Sequence, residues 1–148
     1  MNKIDKIYIL KFLLLVVSGV ATFGSFYFSE ILKLPPCSLC WYQRLFMFPI
    51  FLITLLQIIR DDFEDLFFQF VFGTVGLAIA IYHNLLYYNF IENIVPCSQG
   101  VSCTSKQIEW FGFVTIPLLS LIAFVLILAL CIIGFFLKGG YFETKKTT

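Results

Sequence analysis

The chain has 148 residues, of which 60% are hydrophobic, 19% aromatic and 13% charged, and its mean hydropathy is +0.95. Ordinary soluble domains are about half apolar and about a quarter charged, so the composition excludes that class and points to lipid as the solvent. A formal net charge of +1 gives no electrostatic reason to expect nucleic acid or an acidic macromolecule as partner.

Crossing a hydrocarbon layer of roughly 30 Å takes about 20 mainly apolar residues in a helix. Four windows meet that demand, at 10–28, 41–59, 66–88 and 111–137. The breaks between them are short, which predicts an all-α, four-helix up-and-down bundle with antiparallel neighbours, a single domain over residues 1–148.

The first window follows Lys3, Lys6 and Lys11, as a secretory leader would. Its apolar run exceeds the usual core of about 7 to 15 residues, and the Phe-rich stretch at 23–28 offers no small-residue cleavage site. The segment is therefore expected to stay attached as a span.

Before the second window stand Pro35 and Pro36, then Cys37-Ser38-Leu39-Cys40. Proline suits a helix start, so the second helix should begin at or just after Cys37 and carry both thiols in its first turn. There the unsatisfied N–H groups and the positive end of the dipole are expected to favour a thiolate and lower its pKa. Spacing i, i+3 places both sulfurs on one face, within reach of a disulfide. Arg44 continues that face one turn deeper. At that depth a guanidinium keeps its charge, so it either anchors the helix beside Trp41 and Tyr42 or meets a polar partner. Next to a CxxC the expected tasks are to hold the Cys40 thiolate by charge and to donate hydrogen bonds to a carbonyl oxygen of a redox ligand.

Asp61, Asp62, Glu64 and Asp65 read as a solvated turn before the third window. Inside that window His83 and Asn84 form a polar pair, to be accounted for by a helix-to-helix hydrogen bond or by contact with a ligand. Between the third and fourth windows lies Cys97-Ser-Gln-Gly-Val-Ser-Cys103, a small, easily closed ring that is either an exchangeable disulfide or a static clasp. A four-cysteine metal site is the rival, although its usual spacing pairs both sets closely around a soluble knuckle. Glu109 and Trp110 read as a helix-start charge and an interface anchor. Cys131 falls about 30 Å along the fourth helix from Phe111, away from the other thiols, and is expected to be structural.

Lys3, Lys6, Lys11, Arg60, Lys138, Lys145 and Lys146 lie on the side of the termini, against Lys33 and Lys106 on the other. Positive charge is retained in the cytoplasm, so both termini are expected there and both cysteine pairs on the outer face, where disulfides persist.

Taken together, Pro36-Cys37-Ser38-Leu39-Cys40-Trp41-Tyr42-Gln43-Arg44, then Tyr82-His83, the second cysteine pair, and Glu109-Trp110-Phe111-Gly112-Phe113 with Pro117 resemble the DsbB/BdbC family of bacterial disulfide-forming membrane oxidoreductases over essentially the whole chain. The resemblance implies a relay in the bacterial cytoplasmic membrane. A reduced thioredoxin-fold, DsbA- or BdbD-like thiol oxidase would attack at Cys97, Cys103 would resolve toward Cys37, and Cys40 would pass the electron pair to a quinone, ubiquinone or menaquinone. Arg44 matches the family's quinone-contacting arginine and His83 a position near that site. The short second pair is closer to the BdbC-like branch, and no metal is implied. Two further readings remain open from sequence: a vitamin K epoxide reductase-like quinone oxidoreductase, in which the order of the cysteine motifs is reversed, and a non-enzymatic membrane scaffold clasped by disulfides.

Overall fold

Long apolar runs in lipid satisfy their backbone hydrogen bonds internally, and the chain does so with helices. The computed structural model describes residues 3–33, 37–60, 66–88, 90 and 115–145, with side chains over 5–33, 37–60, 66–88, 90 and 115–137. Helix α1 spans Lys3–Phe26 and runs on as a wider π-helical turn over Tyr27–Ile31; α2 spans Ser38–Ile59, α3 Phe67–Tyr87 and α4 Ile116–Lys145. All four are long and apolar enough to cross a membrane. These bounds agree with the windows read from sequence, except that α1 starts earlier and α4 runs on beyond 137 to Lys145; the expected start of the fourth window, at 111, lies outside the described residues.

Several hydroxyls inside the apolar helices are satisfied locally. Ser18 donates to the Leu14 carbonyl at 2.8 Å and Thr54 to the Ile50 carbonyl at 2.7 Å, so neither needs water. Many large apolar side chains are exposed, among them Phe12, Val20, Phe23, Ile59 and Phe136, which is the surface a lipid-facing helix presents.

Sequential helices pack against one another and α4 closes on α1. Polar contacts give the direction of each helix. At one end Arg44 of α2 reaches Ser25 of α1, Cys37 reaches His83 of α3, and Asn84 of α3 reaches Pro117 of α4. At the other end Lys11 of α1 donates to Gln57 of α2, which also accepts from Gln69 of α3. Each helix therefore runs opposite to the one before it. The core between these ends takes residues from all four helices: Leu14, Met47, Ile50, Leu66, Ala80, Phe124, Ile127 and Cys131.

Two glycines decide how closely the helices approach. A Cβ at position 76 would collide with the ring of buried Phe124, and one at 134 with the Leu66 side chain. In lipid, where no difference in hydrophobicity drives helices together, small residues that admit close packing supply much of the adhesion. Lys11, counted from sequence among the surface charges, is fully buried in the bundle. It is nonetheless at the end where the sequence reading placed it.

Candidate active site

The chemistry gathers where α2 begins. Cys37 is the N-cap, with extended backbone (φ −70°, ψ 165°), and its sulfur accepts the Cys40 backbone N–H at 3.4 Å. A cap of this kind satisfies one of the orphan donors of the first turn, here with sulfur in place of the usual oxygen. The same turn brings Cys37 Sγ to 2.9 Å from Cys40 Sγ. That separation exceeds a covalent S–S bond of about 2.05 Å, so the pair is a dithiol poised to close.

From α3, His83 is 2% exposed and sets Nε2 at 3.7 Å from Cys37 Sγ. Its other nitrogen, Nδ1, lies 3.3 Å from the amide nitrogen of Gln43. A continuous chain of polar atoms therefore runs Gln43, His83, Cys37, Cys40, walled by Leu39, Leu86, Ile79 and Tyr82.

The expected lowering of thiol pKa at the helix start is not what this dithiol shows at Cys37. Its thiol is pushed up to about 12, first by its hydrogen bond with Cys40 and then by burial, while His83 pulls the other way. Two sulfurs sharing one proton resist a second ionisation more strongly than the helix end favours it.

Arg44, one turn deeper, is 9% exposed and therefore no headgroup anchor reaching for water. One guanidinium nitrogen, Nη2, donates to the Ser25 carbonyl at 2.8 Å, and the group lies over the Trp41 ring at 5.5 Å from its centroid. Its buried Nε has no acceptor among the described residues, and the Tyr82 hydroxyl and Asn84 Oδ1 are likewise unpartnered there. Buried polar atoms are normally satisfied, so orphans of this kind point to a polar ligand. An Nε–H held beside a CxxC suits a carbonyl acceptor such as a quinone oxygen.

The structure thus separates the polar pair of α3. Asn84 takes the helix-to-helix role, donating to the Ala80 carbonyl at 2.8 Å and to the Pro117 carbonyl at 2.9 Å. His83 faces the dithiol. Sequence reasoning missed Gln43 as the partner of His83, although its place three residues after Cys40 puts it on that face, and it missed the Ser25 carbonyl, which no local pattern announces. Cys131 is fully buried in the core, as expected of a structural thiol. Cys97, Cys103, Glu109 and Trp110 lie outside the described residues. Cys37, Cys40 and His83 also offer ligand atoms within 4.8 Å of one another, but the four-cysteine metal reading needs the second pair as well.

Comparison with known proteins agrees with this geometry. A family model described as "Disulfide bond formation protein DsbB" matches residues 8–134. The chain is 44% identical over 114 residues to "Disulfide bond formation protein C" of Bacillus subtilis (strain 168), covering 76% of this chain and 83% of that one. It is 42% identical over 115 residues to "Probable disulfide formation protein C 1" of Bacillus anthracis, covering 77% and 82%. With "SPbeta prophage-derived disulfide bond formation protein B" of Bacillus subtilis (strain 168) it shares 38% over 116 residues, 78% of each chain. No solved structure matches. A dithiol at the head of a helix, set in a bundle of four membrane-crossing helices and matched over most of its length by disulfide formation proteins, makes this chain a member of the DsbB family, a multi-pass membrane thiol-disulfide oxidoreductase.

Proposed function

We propose that residues 1–148 form a single membrane domain that reoxidises a thioredoxin-fold, DsbA- or BdbD-like thiol oxidase and delivers the electrons to a membrane quinone. The observation that carries this reading is the Cys37–Cys40 dithiol, 2.9 Å between sulfurs, with a buried arginine one turn away holding an N–H that has no partner among the described residues. Regenerating a disulfide requires an oxidant, and a DsbA-like partner near −120 mV demands an acceptor more oxidising still. A bound quinone supplies an acceptor for two electrons and two protons.

The chain's own residues do the rest. The partner's thiolate attacks the Cys97–Cys103 bridge at Cys97, Cys103 leaves as a thiolate, and the partner's second thiol completes its own disulfide. Cys103 then attacks Cys37 of the oxidised Cys37–Cys40 pair, releasing Cys40 as the thiolate that faces the acceptor, and the freed Cys97 attacks Cys103, restoring the loop bridge and releasing Cys37. Because Cys37 keeps its proton in the resting dithiol, Cys40 is the nucleophilic sulfur of the pair. Arg44, steadied by Ser25 and Trp41, holds that negative charge and offers Nε–H to a quinone oxygen. His83, expected from sequence beside the quinone, lies at the same site with Nε2 3.7 Å from Cys37 Sγ.

Charge asymmetry supports cytoplasmic termini and an outward-facing redox end in a bacterial cytoplasmic membrane. With Lys11 inside the bundle the count of the sequence reading becomes six to two, of the same sign. The test is purified full-length protein, supplied with quinone and a reduced thioredoxin-fold oxidase. Catalytic oxidation that disappears in Cys40→Ser is expected; a wild-type protein that leaves its partner reduced would overturn the reading.

A further inference from the structure

We propose that Gln43 is a positioning residue which sets the nitrogen of His83 that carries the proton, and thereby whether Cys37 is held as a thiol or released as a nucleophile. The proposal deepens the quinone-linked reading and rests on it. Its basis is the buried chain from the Gln43 amide to His83 Nδ1 at 3.3 Å and from Nε2 to Cys37 Sγ at 3.7 Å.

Gln43 and His83 are 7% and 2% exposed, so each is the other's polar environment at that face. A neutral imidazole has one donor nitrogen and one acceptor, and the partner of one nitrogen decides the state of the other. As placed, Gln43 turns its amide nitrogen to the ring, which leaves Nδ1 bare and the proton on Nε2. In that state His83 donates to the Cys37 sulfur and can steady it as a thiolate. A half-turn of the amide presents Oε1 instead, Nδ1 takes the hydrogen, and Nε2 becomes an acceptor facing the Cys37 thiol. Glutamine is suited to this position because its amide presents a donor or an acceptor from the same place.

Closure of the CxxC needs the second state. The Cys37 S–H bond breaks, its proton passes to His83 Nε2, and the sulfur forms the bond to Cys40 while the electron pair leaves through Cys40 to the membrane quinone. Two thiols lose two protons and two electrons, and the quinone takes up both pairs. A thiol held up to about 12 does not ionise unaided at neutral pH, so an acceptor in contact with it matters. The surroundings offer few rivals. Around His83 stand Cys37 and Cys40 from α2 and Tyr82 from its own helix, all packed about the same small core. Arg44 points its Nη2 to Ser25, with Glu30 near the end of α1 acting on it. Among the described side chains of α4 the titratable one is Cys131, in the other core cluster.

His83 is the single histidine in the chain, so its ring can be observed directly. Full-length protein labelled with 15N-histidine and reduced in detergent should show the proton on Nε2. Gln43→Glu, near-isosteric and able only to accept, should move it to Nδ1, and Gln43→Leu should populate no single tautomer. Rapid-mixing reduction of quinone by the prereduced protein should be about tenfold slower in Gln43→Leu, the equivalent of one lost hydrogen bond, with Gln43→Glu clearly faster than Gln43→Leu. Imidazole spectra identical in all three proteins, or equal rates for wild type and Gln43→Leu, would overturn the assignment. A wild-type protein that does not reduce quinone would sink the quinone reading instead, while the imidazole spectra would still decide the role of Gln43.

Discussion

Replacing Arg44 separates the contacts this side chain makes in the structure from the quinone contact proposed for it. Nη2 is bound to the Ser25 carbonyl at 2.8 Å, which ties α2 to α1, and the guanidinium lies 5.5 Å from the ring centre of Trp41 on its own helix. Nε is buried and unpartnered among the described residues, and is the donor proposed for the quinone. Arg44→Met removes both functions. Arg44→Lys keeps a charge and one donor, enough for Ser25, yet lacks the planar fork that serves two acceptors at once. A lost charge-assisted hydrogen bond of about 1.5 to 3 kcal/mol corresponds to roughly a 10- to 150-fold loss of affinity. The expected pattern is therefore a raised KM for quinone in both variants, with thermal stability lost in Met and largely recovered in Lys. Exchange between the partner protein and the proposed Cys97–Cys103 bridge should proceed in both, because that step needs no acceptor. Steady-state kinetics against a quinone titration, paired with melting curves in the same detergent, reads both quantities. Wild-type quinone dependence in Lys and Met alike would refute the ligand role and leave Arg44 as a tie between helices.

Gly76→Ala should lower stability by about 1 to 3 kcal/mol, the usual cost of overpacking, because the added methyl meets the ring of fully buried Phe124; an unchanged melting temperature in detergent would show that α3 and α4 can part without penalty. Gln57→Leu withdraws the oxygen that accepts from Lys11 and Gln69, and should destabilise the fold by about 1.5 to 3 kcal/mol while partner oxidation by the surviving folded protein stays at the wild-type rate. Cys131→Ser should leave oxidation of the partner near wild type, whereas Cys97→Ser abolishes it; the partner's thiol state in cells distinguishes the two. In Cys40→Ala the hydrogen bond that does most to hold up the Cys37 thiol is gone, so the thiolate should appear at lower pH than in the reduced native pair, with burial keeping it above an ordinary cysteine; a pH titration of thiolate absorbance checks this.

Much of the protein is legible along the chain because lipid imposes a simple rule. Each backbone polar group must be satisfied within its own segment, so apolar length alone announces α1 to α4 to within a few residues at most ends. The dithiol is equally local: Pro35 and Pro36 mark a helix start and i, i+3 spacing does the rest, which is why Cys37 as N-cap and Cys40 one turn on were both foreseeable. What sequence could not supply is which polar groups meet across helices. His83 and Asn84 are adjacent in sequence, yet a helix turns by about 100° per residue, so one faces the Cys37 sulfur and the other the Pro117 carbonyl. Gln43 looks like an ordinary interfacial amide until the packing of α2 on α3 sets it against the histidine ring. Lys11 reads as one more cytoplasmic charge until Gln57 is found waiting for it inside the bundle. The pKa of Cys37 divides in the same way: the helix dipole and the neighbouring Cys40 sulfur are local to α2, where the shared hydrogen bond outweighs the dipole, whereas the burial that adds to it arises only when α2 is seated against α3.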